Sequence, residues 1–389
     1  MMKAMGGFQV LLQAPPLRPL SPGPSPARGE GSFASGTSGR RRFSPSPLAG
    51  EGRGEGAVPW WRRACSLLCA LALLLPSAAQ AEKLPRLVLA GPAAAVSFPL
   101  VRMAESGALA DLAERVEFVL WRDPDQLRVM ALEGGADVLA VPTNVAANLY
   151  NRGVKLKLAN VSTWGILWLV SRSAELKTLA DLKGEEIAMP FRADMPDIVF
   201  GVLAARQGLD PRRDFRLRYV ATPMDAMQLL IARRVDHALL AEPAVSMALR
   251  KTKSFPVGLI APELHRSIDL QAEWGRVLQR PARMPQAGIA VMGARADNPA
   301  FVARIQAAYA EALRGCLAER AACARSVAAR IDLLSAEAVA DALAVSPLEA
   351  VPAPAARAEL EFFYGVLAER NPALIGGRLP DDGFYGEGR

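Results

Sequence analysis

Histidine and cysteine are nearly absent from this chain. His237 and His265 are the two histidines among 389 residues, which leaves little scope for histidine relays or histidine-rich metal sites. Four cysteines cannot build a disulfide scaffold, and no C-x-x-C pair exists to suggest zinc. No G-x-S-x-G nucleophile elbow occurs, so serine hydrolysis finds no support. No stretch reaches the ~20 uninterrupted apolar residues that a bilayer crossing needs. The body of the chain also lacks excess charge. The net charge is +7, but residues 1–81 alone hold nine basic and three acidic side chains, so the rest is nearly neutral. Nucleic-acid binding needs clustered Lys and Arg in the working domain, and none is expected here. What remains is 51% hydrophobic, enough material for one large or two ordinary folded domains.

The first 81 residues read as a leader. From Trp60, the pair Arg62-Arg63 precedes the apolar run Leu67–Leu75, then Pro76 and Ser77, then Ala79-Gln80-Ala81. That is the charged, apolar and small-x-small succession of a secretory signal peptide, with cleavage expected after Ala81. Residues 58–81 are therefore assigned to the signal and the mature protein to the periplasm. Upstream, residues 1–57 carry a near-repeat, Ser25–Gly31 against Ser46–Gly52, in a Pro/Gly/Ser/Arg composition that cannot bury a core. A disordered extension ahead of a signal peptide serves no mechanical purpose, so translation is expected to start near Val58. Export leaves Cys316 and Cys323 as the mature cysteines in an oxidising compartment. On an unbroken helix, residues seven apart lie ~10 Å apart along the axis, too far for a disulfide. A bridge therefore requires a helix end, for which Gly315 is a candidate; two buried thiols are the alternative.

Beyond the leader, apolar runs of strand length alternate with segments of helical spacing. Strands are expected at 86–90, 117–121, 137–141, 154–161, 166–171, 186–189, 216–220, 235–240, 256–260 and 288–292, with a helix-rich tail over 299–372. This alternation predicts two α/β lobes, each a mostly parallel sheet flanked by helices. Residues 82–170 with 287–389 form the first lobe and 171–286 the second, with crossings near 168–171 and 288–293.

Several segments stand out in order: the LEGGADVLAVPTNVAANLYNRG run over 132–153, DLKGEEIAM over 181–189, DMPD over 194–197 and VDHALLAEPAVSMAL over 235–249. This succession resembles the nitrate/taurine/sulfonate family of periplasmic substrate-binding proteins that serve ABC importers, along about residues 84–370. The resemblance implies a two-lobe flytrap fold with two hinge crossings, a small-molecule ligand in the cleft, and docking on a membrane permease. It implies no enzyme activity and no cofactor, and a monomer is expected. A sensory protein that keeps the fold and signals to a membrane kinase is an alternative. Relatives that make thiamin pyrimidine use a cysteine-rich segment and an active histidine, and this chain has no cysteine cluster to match.

In open α/β sheets, ligands sit beyond the carboxyl ends of the strands. The candidate ligand contacts are therefore Ser97 and Phe98, Trp121 and Arg122, Thr143 and Asn144, and Trp164 within Ser162–Gly165. From the second lobe come Arg192, Asp194, Met195 and Glu242. Each has a plainer reading. Thr143, Asn144 and Asp123 suit helix caps, and Trp121 and Trp164 suit either core or a stacking pocket. Arg122 and Arg192 could hold a carboxylate, sulfonate or nitrate bidentately, while the tryptophans suit a pyrimidine, an aromatic acid or a flavin-like ring. His237 reads as a core or edge residue, His265 as a solvated loop residue, and Tyr150 as packing.

Overall fold

A computed structural model describes residues 83–260 and 263–386. The expected extension, the signal segment 58–81 and the cleavage point after Ala81 lie outside the described residues. Two sheets organise the chain. The first has the order β11(Leu348–Pro352), β4(Leu156–Thr163), β10(Ala287–Met292), β3(Val138–Pro142), β1(Leu87–Gly91), β2(Val116–Leu120). The second has the order β7(Arg216–Val220), β6(Glu186–Pro190), β8(His237–Ala241), β5(Leu167–Ser171), β9(His265–Asp269).

Both sheets are mixed rather than mostly parallel. β3, β1 and β2 are mutually parallel, as are β8, β6 and β7. β10 runs antiparallel between β3 and β4, and β5 runs antiparallel between β8 and β9. β11 also runs antiparallel to β4 at the sheet edge, whereas β10 and β5 are reversed because each follows a crossing from the other sheet. A chain leaving one lobe at its cleft edge enters the next at its cleft edge, so its first strand there must run backwards. The crossings themselves are residues 164–166 and 279–286, just before the strands where they were expected. The chain thus enters the second sheet at Leu167, four residues ahead of the 170/171 boundary.

Side chains alternate between faces along the strands. In β1, Leu87 and Leu89 face one apolar cluster with Phe98, Tyr309 and Val327, while Val88 and Ala90 face another. In β8, Ala238 and Leu240 pack with Ala226, Leu230 and Val245, while Leu239 joins a central cluster that runs through both lobes. The helices supply the covers: α1(Phe98–Glu105), α2(Pro124–Glu133), α3(Thr143–Asn151), α4(Met195–Arg206), α5(Pro223–Ile231) and α6(Ala244–Lys253). α4 buries residues around most of its circumference, Ile198 to Ala204 without a break, because the central cluster surrounds it. Each such Leu, Val or Phe contributes about 1.5–3 kcal/mol relative to exposure.

Three local expectations are corrected. Residues 256–260 form a short helix, α7(Val257–Ile260), rather than a strand; Gly258 N–H closes the turn on the Ser254 carbonyl at 2.7 Å. His265 opens an edge strand, β9, instead of lying in a solvated loop, and α8(Leu270–Leu278) follows it. A polar edge strand shows little alternation in sequence, and this one was hidden for that reason. The same holds for β11, a short edge strand that ends on Pro352. Gly315 lies inside α9(Pro299–Ala318), and the break comes at Glu319, before α10(Arg320–Arg330). That break brings the Cα atoms of Cys316 and Cys323 to 5.0 Å, and their sulfurs are bonded. The tail continues with α11(Ala336–Val345), α12(Arg357–Arg370) and α13(Asp382–Tyr385).

Two glycines are fixed by close approach. Gly165 lies in the first crossing at φ +128°, and a Cβ there would fall on the Gln271 side chain. A Cβ on Gly288 would collide with the Asn160 carbonyl, so glycine lets β10 pass β4.

Candidate functional site

A cavity of about 330 Å³ lies between the two sheets. Its walls are the carboxyl ends of forward strands and the amino ends of the reversed strands β5 and β10. From the first lobe come Pro92–Ala94 after β1, Leu120 of β2 with Trp121 and Arg122 after it, Val141 and Pro142 of β3, Thr163 of β4 and Ala287 of β10. From the second come Phe191 and Asp194–Pro196 after β6, Thr222–Asp225 after β7, Ala241 of β8 with Glu242 after it, and Leu167 of β5. Mixed α/β topology thus converges the loops that carry side-chain variety on one space.

Most of the lining is apolar. The charged lining residues are Arg122, Asp194, Asp225 and Glu242, and Arg122 and Asp225 are exposed at the edge. Asp194 is buried as the N-cap of α4, where its Oδ1 accepts the Met195 N–H at 2.8 Å. Its Oδ2 accepts from the Arg128 guanidinium of α2 at 2.8 Å, so this pair ties the two lobes together across the cleft. Burial pushes the Asp194 carboxyl above its ordinary range, against the downward pull of the Met195 N–H and of Arg128. Phe191 and Ala193, on either side of Arg192, both adopt left-handed backbone with φ of 56° and 60°. Such residues cost of order 1–3 kcal/mol each and cluster at functional loops.

Glu242 is fully buried at the end of β8. Its Oε2 accepts the Ser246 N–H at 3.1 Å and the Ser246 hydroxyl at 2.8 Å, while Oε1 accepts from Arg266 of β9 at 2.6 Å. Asp225 closes a capping box with Thr222 at the start of α5. Thr163 lines the cavity fully buried, and its hydroxyl has no partner within the chain. Gln286, in the second crossing, accepts the Ile166 N–H at 3.0 Å and so couples the two crossings beneath the cavity.

The structure brings together Trp121, Arg122, Asp194, Met195 and Glu242 from the residues singled out by sequence. Trp121 is buried and its indole N–H donates to the Ala140 carbonyl at 3.2 Å, so it is core and wall at once. Trp164 does not line the cavity. It is 1% exposed, donates to the Glu349 carbonyl at 2.9 Å and carries the Arg283 guanidinium 3.7 Å above its ring. Phe98 is packed in the outer core of the first lobe, and Ser97 is buried beside Gly91 with an unpartnered hydroxyl. Neither Thr143 nor Asn144 caps α3. Thr143 donates to the Pro285 carbonyl in the second crossing at 2.6 Å. Asn144 lines a second cavity of about 350 Å³ behind the Arg128–Asp194 pair. Arg192 is exposed and lies over the Tyr219 ring at 5.0 Å, away from the cavity.

Sequence reasoning overlooked Arg128, Arg266, Gln286 and the Thr222–Asp225 turn. The last was legible, because Thr-Pro-Met-Asp after a strand is a capping box at a helix start. Arg128 and Arg266 carried no local signal, since their partners lie 66 and 24 residues away. Among the described residues no group of three or more His, Cys, Asp or Glu could hold a metal ion, and no helix is long and apolar enough to cross a membrane.

No family model matches the chain, and no curated protein matches it by sequence. Solved structures do. An ABC transporter protein from Parabacteroides distasonis is 22% identical and superposes with a TM-score of 0.64, over 77% of this chain and 98% of the other. The periplasmic aliphatic sulphonate binding protein SsuA from Escherichia coli is 19% identical, with a TM-score of 0.57 over 76% of this chain and 92% of its own. The periplasmic nitrate-binding protein NrtA from Synechocystis is 16% identical, with a TM-score of 0.53 over 66% and 69%. At such identities it is the architecture that is shared: this chain has the two-lobe α/β fold of the periplasmic binding proteins.

Proposed function

We propose that the chain is the solute-binding receptor of an ABC importer. The observation that carries this reading is the cavity itself, set between the strand ends of two lobes that are joined by two crossings and bridged by Arg128–Asp194. The solved structures that share the fold include proteins named for binding sulphonate and nitrate, which supports a small solute as the occupant. Among the described residues no His, Cys, Ser, Lys or Tyr lines the cavity, and its buried carboxylates are engaged in ion pairs. That lining favours capture over chemistry, which would need a free nucleophile or base. Two crossings permit the lobes to part and close about them, and a solute can favour the closed form only through its better contacts there. The receptor then delivers its solute to a membrane permease from the periplasm, which it reaches through the signal at 58–81.

Calorimetry and small-angle scattering on the chain beginning at Glu82, with and without a solute found by thermal-shift screening, test the mechanism. A saturating solute is expected to raise the melting temperature and to reduce the radius of gyration. A radius of gyration unmoved by saturating solute would remove the flytrap mechanism. Mass spectrometry of the periplasmic product tests the address; a mature form that retains Trp60 would mean an anchored protein.

A further inference from the structure

We infer that the solute is an uncharged, largely apolar ring compound rather than an oxyanion. This inference rests on the receptor reading and narrows it. Helices begin all around the cavity, and a helix N-terminus is an anion site whenever its N–H groups are free. Here the chain supplies its own carboxylates to four of them. Asp123 accepts the Asp125 and Gln126 N–H groups of α2 at 3.0 and 2.9 Å. Asp194 takes the first N–H of α4, and Glu242 takes the Ser246 N–H of α6. Asp225 occupies the first turn of α5. At those four starts a sulfonate, nitrate or carboxylate would meet negative charge already in place, and at the start of α3, which carries no acid, the Thr143 N–H is taken by the Gln286 carbonyl at 3.1 Å.

The cations tell the same story. Arg128 and Arg266 reach the buried carboxylates and neutralise them, at 2.8 and 2.6 Å. Arg122 is the one cation among the described lining residues, and it stands exposed at the rim with the exposed Asp225 also on that wall. An anion entering the interior would lose its hydration and gain no unpaired donor cation in return. A cation would find both buried carboxylates taken. An apolar body loses nothing on entry, and walls built from Trp121, Leu127, Val141, Leu167, Phe191 and Met195 suit it. Size sets the class further. An apolar cavity of about 150 Å³ takes one benzene, so about 330 Å³ suits two fused rings or one ring with a short substituent. The unpartnered Thr163 hydroxyl offers one hydrogen bond to orient it.

The test is a matched series on the chain from Glu82 to Arg389: indole and benzamide as neutral probes, benzoate and benzenesulfonate as anions, benzylammonium as the cation. Calorimetry is expected to show saturable binding of the neutral probes and at least tenfold weaker binding of the charged ones. Thr163→Val is expected to weaken indole about 3- to 10-fold, the loss of one net hydrogen bond, with circular dichroism unchanged. Ala94→Trp, which fills the cavity from a wall loop, is expected to abolish indole binding, and continued binding would place the probe elsewhere and overturn the assignment. Tighter binding of benzoate or benzenesulfonate than of the neutral probes, lost in Arg122→Ala, overturns the inference while leaving the receptor reading intact. Silence of the folded protein toward all five probes overturns the inference as well, and the receptor reading is then judged by the thermal-shift screen alone.

Discussion

The two lobes meet in two chemically different ways. One seam is apolar: α12 of the C-terminal tail lays Phe362 and Phe363 against Trp274 of α8, with ring centroids 6.3 and 5.4 Å apart. The same helix sends the Tyr364 hydroxyl to the Thr143 carbonyl of the first lobe at 3.0 Å, so it belongs to both sides. Elsewhere the lobes are joined by two ion pairs, Arg128 to Asp194 and Arg250 of α6 to Asp341 of α11, beside Met224 and Met247, which pack on the first-lobe cluster. Arg128, Arg250 and Asp341 keep 42%, 49% and 38% of their side chains exposed, while Asp194 is buried. Apolar burial is insensitive to salt and pH, whereas exposed ion pairs are worth about 0–1 kcal/mol and are screened. An apolar seam that stays while ionic contacts exchange is the contrast that the proposed opening and closing would need.

Breaking the permanent seam gives the largest expected effect. Trp274→Ala should cost about 3–5 kcal/mol in chemical denaturation, the usual penalty for removing a buried large aromatic. A loss below about 1 kcal/mol would mean the seam is not fixed. The next effect is a control inside one lobe. Cys316→Ser opens a short loop between α9 and α10, and should cost about 2–3 kcal/mol with no change in solute affinity. Two titratable thiols in the denatured, unreduced wild type would contradict the bridge.

The ionic contacts should give small stability effects and a large conformational one. In an Asp194→Asn/Arg250→Ala double variant, which removes both pairs without leaving a buried carboxylate unpaired, stability should change by less than about 2 kcal/mol. Its solute-free radius of gyration should rise and become insensitive to salt. Asp194→Asn sharpens the contrast. Because burial raises the Asp194 pKa, its favourable contribution to folding is present only at acid pH and is lost as pH rises through the folded value. Asparagine keeps the cap without the charge, so at pH 7 the melting temperature should not fall, although the cross-cleft pair is gone. A fall of several degrees would show that the pair stabilises the fold itself.

The smallest effect concerns a group away from both seams. His237 is buried in β8 with Nδ1 2.9 Å from the Ser171 hydroxyl, and burial lowers its pKa despite nearby Glu185. Its contribution is complete above the ordinary histidine pKa and is lost as pH falls toward the folded value. His237→Gln should therefore flatten the decline of stability between pH 7 and pH 5; an unchanged pH profile would assign that decline elsewhere.

Most of the strand–helix succession was legible because it depends on local rules. Asp123-Pro124 and Asp194-Met195-Pro196 announce helix starts by capping and by proline's fixed φ, and β3 and β8 announce themselves as short apolar runs. The edge strands β9 and β11 were not legible, since a strand with one solvated face and polar residues carries no strong period. The site was half legible. Strand ends pointed to Trp121, Arg122, Asp194, Met195 and Glu242, but Trp164 and Arg192 sit at strand ends too and turn elsewhere, onto Glu349 and Tyr219. Which way such a side chain turns depends on what the other lobe and the tail place beside it.

The sequence by itself determined the two α/β lobes, the Asp123 cap of one cleft helix and the near-neutral body, because propensity, periodicity and composition act over a few residues. Tertiary structure alone decided the reversed strands, the helix break that joins Cys316 to Cys323 and the pairing of Arg128 with Asp194. It also decided the apolar character of the cavity. Those features depend on residues far apart in the chain meeting at a few ångströms, and no local pattern encodes which of many arginines will reach which carboxylate.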